Sequence, residues 1–217
     1  VINEKILDDV KKILKKGISE KDVEWFIISK TREYGCEEPA FNAIVAFGNN
    51  SSIPHHQNSN RKLKKGDVIL LDMGVKYKGY CSDMTRTFFT ETPSKLQAKI
   101  YKIVLGAQKA AIEKVKNQTS IFQVNKAARN IIDNAGYKNN FQHGLGHGTG
   151  LNIHELPNLG TEKDSKLQQN MITTIEPGVY LENHFGVRIE DMVIITRNGN
   201  VNITKARKEL SDAIIKI

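Results

Sequence analysis

The feature that most constrains this chain is a stretch that occurs twice. The first copy, ILLDMGVKYKGYCSDM (residues 69–84), carries Asp72, Gly74, Gly79 and Asp83. The second, TTIEPGVYLENHFGVRIEDM (residues 173–192), carries Glu176, Gly178, Gly186 and Glu190 in the same order. In each copy a glycine follows the first acid by two residues and another precedes the second acid by four, and a methionine (Met84 or Met192) closes it. Lys62-Leu63 and Lys166-Leu167 stand at matching distances upstream. Apolar runs rich in β-branched residues and punctuated by glycine read as strands joined in a hairpin. The acids are 11 residues apart in one copy (83 − 72) and 14 in the other (190 − 176), and the extra three fall between the glycines. A hairpin loop absorbs such an insertion at small entropic cost. Two carboxylates on one hairpin are costly to bury unless a cation or partner neutralises them. One such hairpin reads as exposed acids at strand ends. Two bring four carboxylates into play.

The helices repeat with the hairpins. Ile2, Ile6, Leu7, Val10, Ile13 and Leu14 recur at helical spacing up to Gly17. Ser19 with Asp22 is a capping signature for a second helix, marked by Val23, Phe26 and Ile27 and ended by Gly35. Residues 43–48 (AIVAFG) read as a short strand, and residues 48–60 as a polar loop carrying His55 and His56. Pro93 and Ser94 open a long helix with Ile100, Ile103, Val104, Ala107 and Ala111 on one side. Ser120 opens another, with Val124, Ala127, Ala128, Ile131 and Ile132 inward and Gly136 at its end. Ser19 precedes Gly35 by 16 residues, and Ser120 precedes Gly136 by 16. The pattern predicts an α+β architecture: one domain over residues 1–217, with pseudo-symmetric halves at about 1–92 and 93–217. The second unit opens 27 residues before Ser120 (120 − 93), an offset that falls upstream of residue 1 in the first. The first helix is therefore expected to lack roughly two turns, in a chain that is part of something longer.

Between the repeats lies HGLGHGTGLNIHE (residues 143–155), with His143, His147 and His154. A spacing of four suits a metal-binding helix face. Here, however, Gly144, Gly146, Gly148 and Gly150 intervene, and each glycine costs a helix about 1 kcal/mol relative to alanine. An extended strand or bend is expected instead, with His143 and His147 on one face if it is a strand and the glycines allowing close backbone approach. Four acids and an imidazole form a hard, oxygen-rich set suited to two divalent ions, manganese-like rather than thiolate-bound zinc. Two metals can activate a shared water and clamp a carbonyl oxygen, the chemistry of amide hydrolysis.

Composition excludes several other classes. With 39% hydrophobic and 26% charged residues the chain reads as globular. The net charge of +8 is spread over helix faces (Lys11, Lys12, Lys15, Lys16) with no interleaved aromatics, so a solvated basic surface is expected rather than nucleic-acid binding. No run approaches the roughly 18 apolar residues of a membrane span, and no charged-then-apolar leader is seen. Two cysteines, Cys36 and Cys81, fit a reducing cytoplasm.

On these residues the chain resembles the creatinase/aminopeptidase family with the pita-bread fold, and most closely its Xaa-Pro branch of aminopeptidase P and prolidase. The resemblance runs over essentially the whole chain. It implies a dinuclear metal site on Asp72 in LLDMG, Asp83 in CSDMTRT, His147 in HGLGHGTG, Glu176 in TIEPGVY and Glu190 in GVRIED. Asp83 and Glu190 would bridge the ions, Asp72 would hold one, and His147 with Glu176 the other. The ions implied are two Mn2+, with Co2+ or Zn2+ as alternatives. Glu176 would shuttle the proton. His55 would bind substrate, His143 and His154 would contact it and stabilise the tetrahedral intermediate, and Arg188 would support catalysis and substrate binding. Thr149 and Asn152 depart from the family's usual residues, and neither is a ligand. The implied activity is hydrolysis of the bond between an N-terminal residue and proline. The alternatives are an Xaa-Pro dipeptidase, a methionine aminopeptidase and a non-catalytic binding module. Arg188 and His143 favour the Xaa-Pro branch over methionine aminopeptidases, and the full ligand set argues against a binding module. The resemblance also implies an N-terminal domain, a homodimer of the full-length protein, and a peptide substrate with proline second.

Overall fold

A computed structural model describes residues 2–160 and 165–217. Helix α1 (Ile2–Ile13) buries Ile6, Leu7 and Val10, and the chain turns at Gly17 with φ +89°. Helix α2 (Glu20–Glu33) starts on the expected capping box. Ser19 Oγ accepts the Asp22 N–H at 3.1 Å, and the Ser19 N–H donates to Asp22 Oδ2 at 2.8 Å. Strands β1 (Glu38–Pro39) and β2 (Ile44–Phe47) follow. The polar loop then begins as a 3-10 turn over Gly48–Ser52, which hydropathy alone does not reveal.

The first acid hairpin is built in two storeys. β3 (Val68–Met73) pairs antiparallel with β6 (Met84–Phe89), while β4 (Val75–Tyr77) pairs with β5 (Tyr80–Cys81) beyond a break. Gly74 sits at that break, where a Cβ would stand 2.0 Å from the Ser82 carbonyl oxygen. After α3 (Lys95–Lys114) and α4 (Ile121–Asn134), which pack together, come β7 (His147–Gly148) and β8 (Glu155–Asn158). The second hairpin repeats the two storeys. β9 (Ile172–Ile175) pairs with β12 (Asp191–Ile195), and β10 (Gly178–Leu181) with β11 (Phe185–Arg188). β13 (Asn200–Asn202) closes the larger sheet, ordered β13-β12-β9-β7-β8 beside β2-β3-β6.

The upstream Lys-Leu pairs have a shared role. Ser19 bridges Lys62 and Ser120 bridges Lys166. Buried Leu63 and Leu167 each donate an N–H back to the residue before the capping serine, at 2.8 and 2.9 Å. Each second helix is thus pinned to the segment leading into its acid hairpin. The halves meet through β6 and β11. Thr87 Oγ1 donates to the Arg188 carbonyl and accepts the Arg188 N–H, and the Glu190 N–H reaches the Thr85 carbonyl at 3.1 Å. Met192 also crosses, its Sδ accepting the Asp83 N–H at 3.1 Å. Residues 143–146 are irregular, with bends at His143 and Leu145, and within the run from His143 to Gly150 only His147–Gly148 joins a sheet. No helix among the described residues is long and apolar enough to cross a membrane.

Candidate active site

All nine residues singled out from the sequence line one cavity of about 310 Å3: Asp72, Asp83, His147, Glu176, Glu190, His55, His143, His154 and Arg188. The hairpins place the acids. Asp72 sits near the end of β3, and Asp83 precedes β6. Glu176 occupies the break between β9 and β10, and Glu190 the break between β11 and β12. The two storeys therefore aim both pairs inward from opposite halves.

His147 reaches this cavity because its flanking glycines let the backbone press against the sheet. A Cβ at Gly146 would lie 2.0 Å from the Thr174 carbonyl oxygen, and one at Gly148 2.2 Å from that of Leu156. The His147 Nδ1 is 2.9 Å from the Gly148 carbonyl. A carbonyl only accepts, so Nδ1 carries the proton and Nε2 presents its lone pair to the acids. That Nε2 lies 3.4 Å from Asp83 Oδ2 and 3.5 Å from Glu176 Oε1. Among the described residues Asp83, His147 and Glu190 form a tight potential ligand group, their donor atoms within 4.8 Å of one another. Asp72 and Glu176 flank it.

The acids crowd one another out of water. Burial, then the charges of Asp72 and Glu176, push the Asp83 carboxyl well above its ordinary range. Burial raises Glu190 likewise, with Asp83 next in order. Burial also raises Glu176, although Arg188 and His147 pull it back. A set held in this state is neutralised by a cation. Asp72 Oδ1 and Asp83 Oδ1 are buried with no hydrogen-bond partner among the described residues. Free oxygens, a tautomer-fixed imidazole and clustered acids fit a divalent metal centre.

A hydrogen-bonded web holds the acids from behind. The buried Arg188 guanidinium donates to Asp72 Oδ2 at 2.6 Å, to the Tyr180 hydroxyl at 2.7 Å, to the Pro54 carbonyl at 3.2 Å and to Thr85 Oγ1 at 3.1 Å. Thr85 in turn donates to Glu190 Oε2 at 2.7 Å. Because Arg188 only donates, Tyr180 gives its own proton to His143 Nε2, 2.8 Å away. His143 Nδ1–H then donates to the Gly144 carbonyl at 2.8 Å. Both nitrogens of His143 are thus engaged. Burial, with the Arg188 charge behind it, lowers its pKa to about 3, so the ring is neutral. His55 and His154 make no ring hydrogen bond to any described residue and face the cavity. Sequence reasoning passed over Tyr180, Thr85 and Thr174, although all three lie inside the quoted motifs. Only their contacts mark them, since Thr174 Oγ1 accepts the His147 N–H at 3.0 Å and reaches Glu176 Oε1 at 3.3 Å.

Comparison with known proteins places this geometry. The profile of Metallopeptidase family M24 matches residues 1–197. The chain belongs to the M24 family. An Xaa-Pro dipeptidase of Pyrococcus furiosus is 41% identical over 195 residues, 90% of the M24 chain and 56% of the relative. The solved prolidase from Pyrococcus furiosus is 39% identical and superposes with a TM-score of 0.93, covering 95% of the M24 chain and 61% of that structure. The X-Pro aminopeptidase from Thermotoga maritima is 36% identical with a TM-score of 0.93, covering 96% and 59%. The M24 chain spans a little over half the length of the curated relatives it matches. Its likeness to these structures bears out the α+β, pita-bread fold and the Xaa-Pro branch expected from the motifs.

Proposed function

We propose that this M24 chain is the catalytic part of a metal-dependent peptidase that cleaves the bond between an N-terminal residue and proline. The observation that carries this reading is the convergence of nine motif residues from both halves on one cavity, with free carboxylate oxygens inside it. Asp72, Asp83, His147, Glu176 and Glu190 would hold two divalent ions, Mn2+ first, with Co2+ or Zn2+ as alternatives. When bound, such ions supply an activated water and a Lewis acid for the scissile carbonyl.

The chain's own residues do the rest. Glu176, its carboxyl raised by burial, takes a proton at a carboxylate oxygen from the water that adds to the scissile carbonyl carbon and delivers it to the proline nitrogen as the C–N bond breaks. Arg188 fixes Asp72 directly and Glu190 through Thr85. His55 and His154, with free ring nitrogens, hydrogen-bond the substrate, and His154 stabilises the developing oxyanion. His143 reaches a substrate only by releasing Tyr180 or Gly144. At rest it holds the Tyr180 hydroxyl toward Arg188. Proline's fixed φ and missing N–H exclude the bond before it from extended, hydrogen-bonded binding. A site built on metals and side chains does not need that N–H.

A second reading, Xaa-Pro dipeptidase, is favoured by the likeness to the Xaa-Pro dipeptidase of Pyrococcus furiosus. The rest of the proposal concerns the intact protein: residues 1–217 as a catalytic domain, an N-terminal domain before it, a homodimer, and a cytoplasmic location. One assay panel with added manganese tests the activity, using Xaa-Pro, Xaa-Pro-Yaa and Met-Ala-Yaa peptides. Cleavage confined to the proline peptides is expected, and cleavage of the dipeptide alone selects the dipeptidase. Cleavage of Met-Ala-Yaa alone would move the assignment to a methionine aminopeptidase. No cleavage with no bound metal would make the chain a binding module.

A further inference from the structure

The two halves differ at one buried position in a way their symmetry does not require. Directly after the capping serine the second half has Ile121, fully buried in the core. The first half has Glu20 there, equally buried. A carboxylate in that place is costly unless every lone pair is used. Here they are used, and every partner lies in or beside one loop. Oε1 accepts from the Phe47 N–H at 2.9 Å and Asn50 Nδ2 at 2.8 Å. Oε2 accepts from His56 Nε2 at 2.9 Å, the Ser59 N–H at 3.0 Å and Ser59 Oγ at 2.6 Å. The far side of the loop is tied to the other half, with Ser51 Oγ accepting the Gly186 N–H at 2.9 Å and the Pro54 carbonyl accepting from Arg188. Between these pins Pro54 and His55 line the cavity. The His55 ring has no hydrogen-bond partner of its own among the described residues, so its place in the cavity follows the loop backbone that carries it.

We propose that Glu20 is a positioning residue for substrate binding: its buried carboxylate, with His56, holds residues 47–59 in the conformation that presents His55 to the cavity. This rests on the peptidase reading above. Glu20 touches neither the metal ligands nor Arg188, so it acts on how substrate is held and not on the metal centre. In Glu20→Gln an amide NH2 faces the donors of His56 or Ser59, and the loop is released on that side.

The experiment compares wild type, Glu20→Gln, His56→Gln and His56→Leu in protein supplied with diamagnetic Zn2+ for exchange and NMR and with Mn2+ for kinetics. Three readouts are taken: amide exchange by segment, the NMR signal of the His55 ring, and KM and kcat on an Xaa-Pro peptide. Glu20→Gln is expected to speed exchange at least tenfold within residues 47–59 only, to move the His55 signal, and to raise KM about tenfold with kcat within twofold. His56→Leu should move all three in the same direction, whereas His56→Gln, which keeps an N–H toward Glu20, should match wild type. Exchange faster throughout the chain, or kcat lost at constant KM, would mean that Glu20 only stabilises the fold and would overturn the proposal. So would an unmoved His55 signal. Should wild type cleave none of the peptides, the peptidase reading falls, and the exchange and His55 readouts decide the positioning role by themselves.

Discussion

Glu176 is the residue whose chemistry and geometry are most exposed to test. Its carboxylate stands 3.5 Å from His147 Nε2 and accepts from Thr174. Glu176→Gln keeps the shape and the Thr174 contact but cannot carry a proton. Turnover of an Xaa-Pro peptide should fall by about 100-fold or more, with the thermal midpoint within a few degrees of wild type. Near-wild-type turnover would assign the proton to another group. Glu20 supports a prediction about pH. Burial opposes its ionisation, but hydrogen bonds from His56, Ser59, Phe47 and Asn50 outweigh it and hold the pKa at about 2, against an ordinary 4.5. A carboxyl depressed in the folded state contributes stability that is present above its unfolded pKa and lost as pH falls through its folded one. That contribution, up to about 3 kcal/mol, should disappear between pH 4.5 and about 2. Urea unfolding at several pH values should therefore give a flatter profile for Glu20→Gln in that window than for wild type. Arg188 shows how residue and site are linked, since four of its contacts serve the cavity wall. The sequence marked it only through a motif.

At the scale of elements, the glycines and caps were the most legible features and make sharp tests. Gly146 and Gly106 both lack a side chain, for different reasons. A Cβ at Gly146 would meet the Thr174 carbonyl at 2.0 Å, and backbone cannot step aside, whereas one at Gly106 within α3 meets nothing within 4 Å. Gly146→Ala should cost about 1–3 kcal/mol by overpacking and weaken manganese binding by displacing His147. Gly106→Ala should stabilise by about 0.5–1 kcal/mol. Chemical denaturation of both variants checks the pair, and equal effects would refute the reading of close approach. Ser19→Ala removes one arm of a two-way capping box, and about 1 kcal/mol of stability should go with it. The elements least legible in the sequence were the irregular ones. The 3-10 turn at Gly48–Ser52 and the bends within 143–146 have no periodic signature. Their conformation is dictated by contacts to Glu20, Gly186 and Thr174 from distant parts of the chain.

For the whole molecule, the crowded acids tie stability to metal. Four carboxylates from two halves face one cavity, and burial with mutual repulsion keeps Asp83 and Glu190 far from their ordinary ionisation. A ligand that binds only the folded state stabilises it in proportion to its saturation, by about 2.7 kcal/mol at 100 times its dissociation constant. Chelation should therefore lower the thermal midpoint by several degrees, and added manganese should restore it. A midpoint indifferent to chelator and metal would argue against a metal centre. Across the same interface Arg86 donates to Asp191 at 2.7 Å, both fully buried. That pair joins β6 of one half to β12 of the other behind the acids.

The sequence by itself determined the duplication, the helix starts, the paired acid hairpins and nine of the residues that face the cavity. Each of these rests on local rules: periodicity, capping, and a short motif whose spacing survives in both copies. Tertiary structure alone decided what each group does inside that set. It turned Nε2 of His147 toward the acids and occupied both nitrogens of His143. It left the ring nitrogens of His55 and His154 without a hydrogen-bond partner among the described residues, facing the cavity, and made Glu20, a residue that reads as an ordinary helix-start acid, the anchor of a loop far along the chain. The reason is physical. Which lone pair or proton a group offers depends on the partner beyond it, and those partners come from sequence positions that meet only when the two halves close.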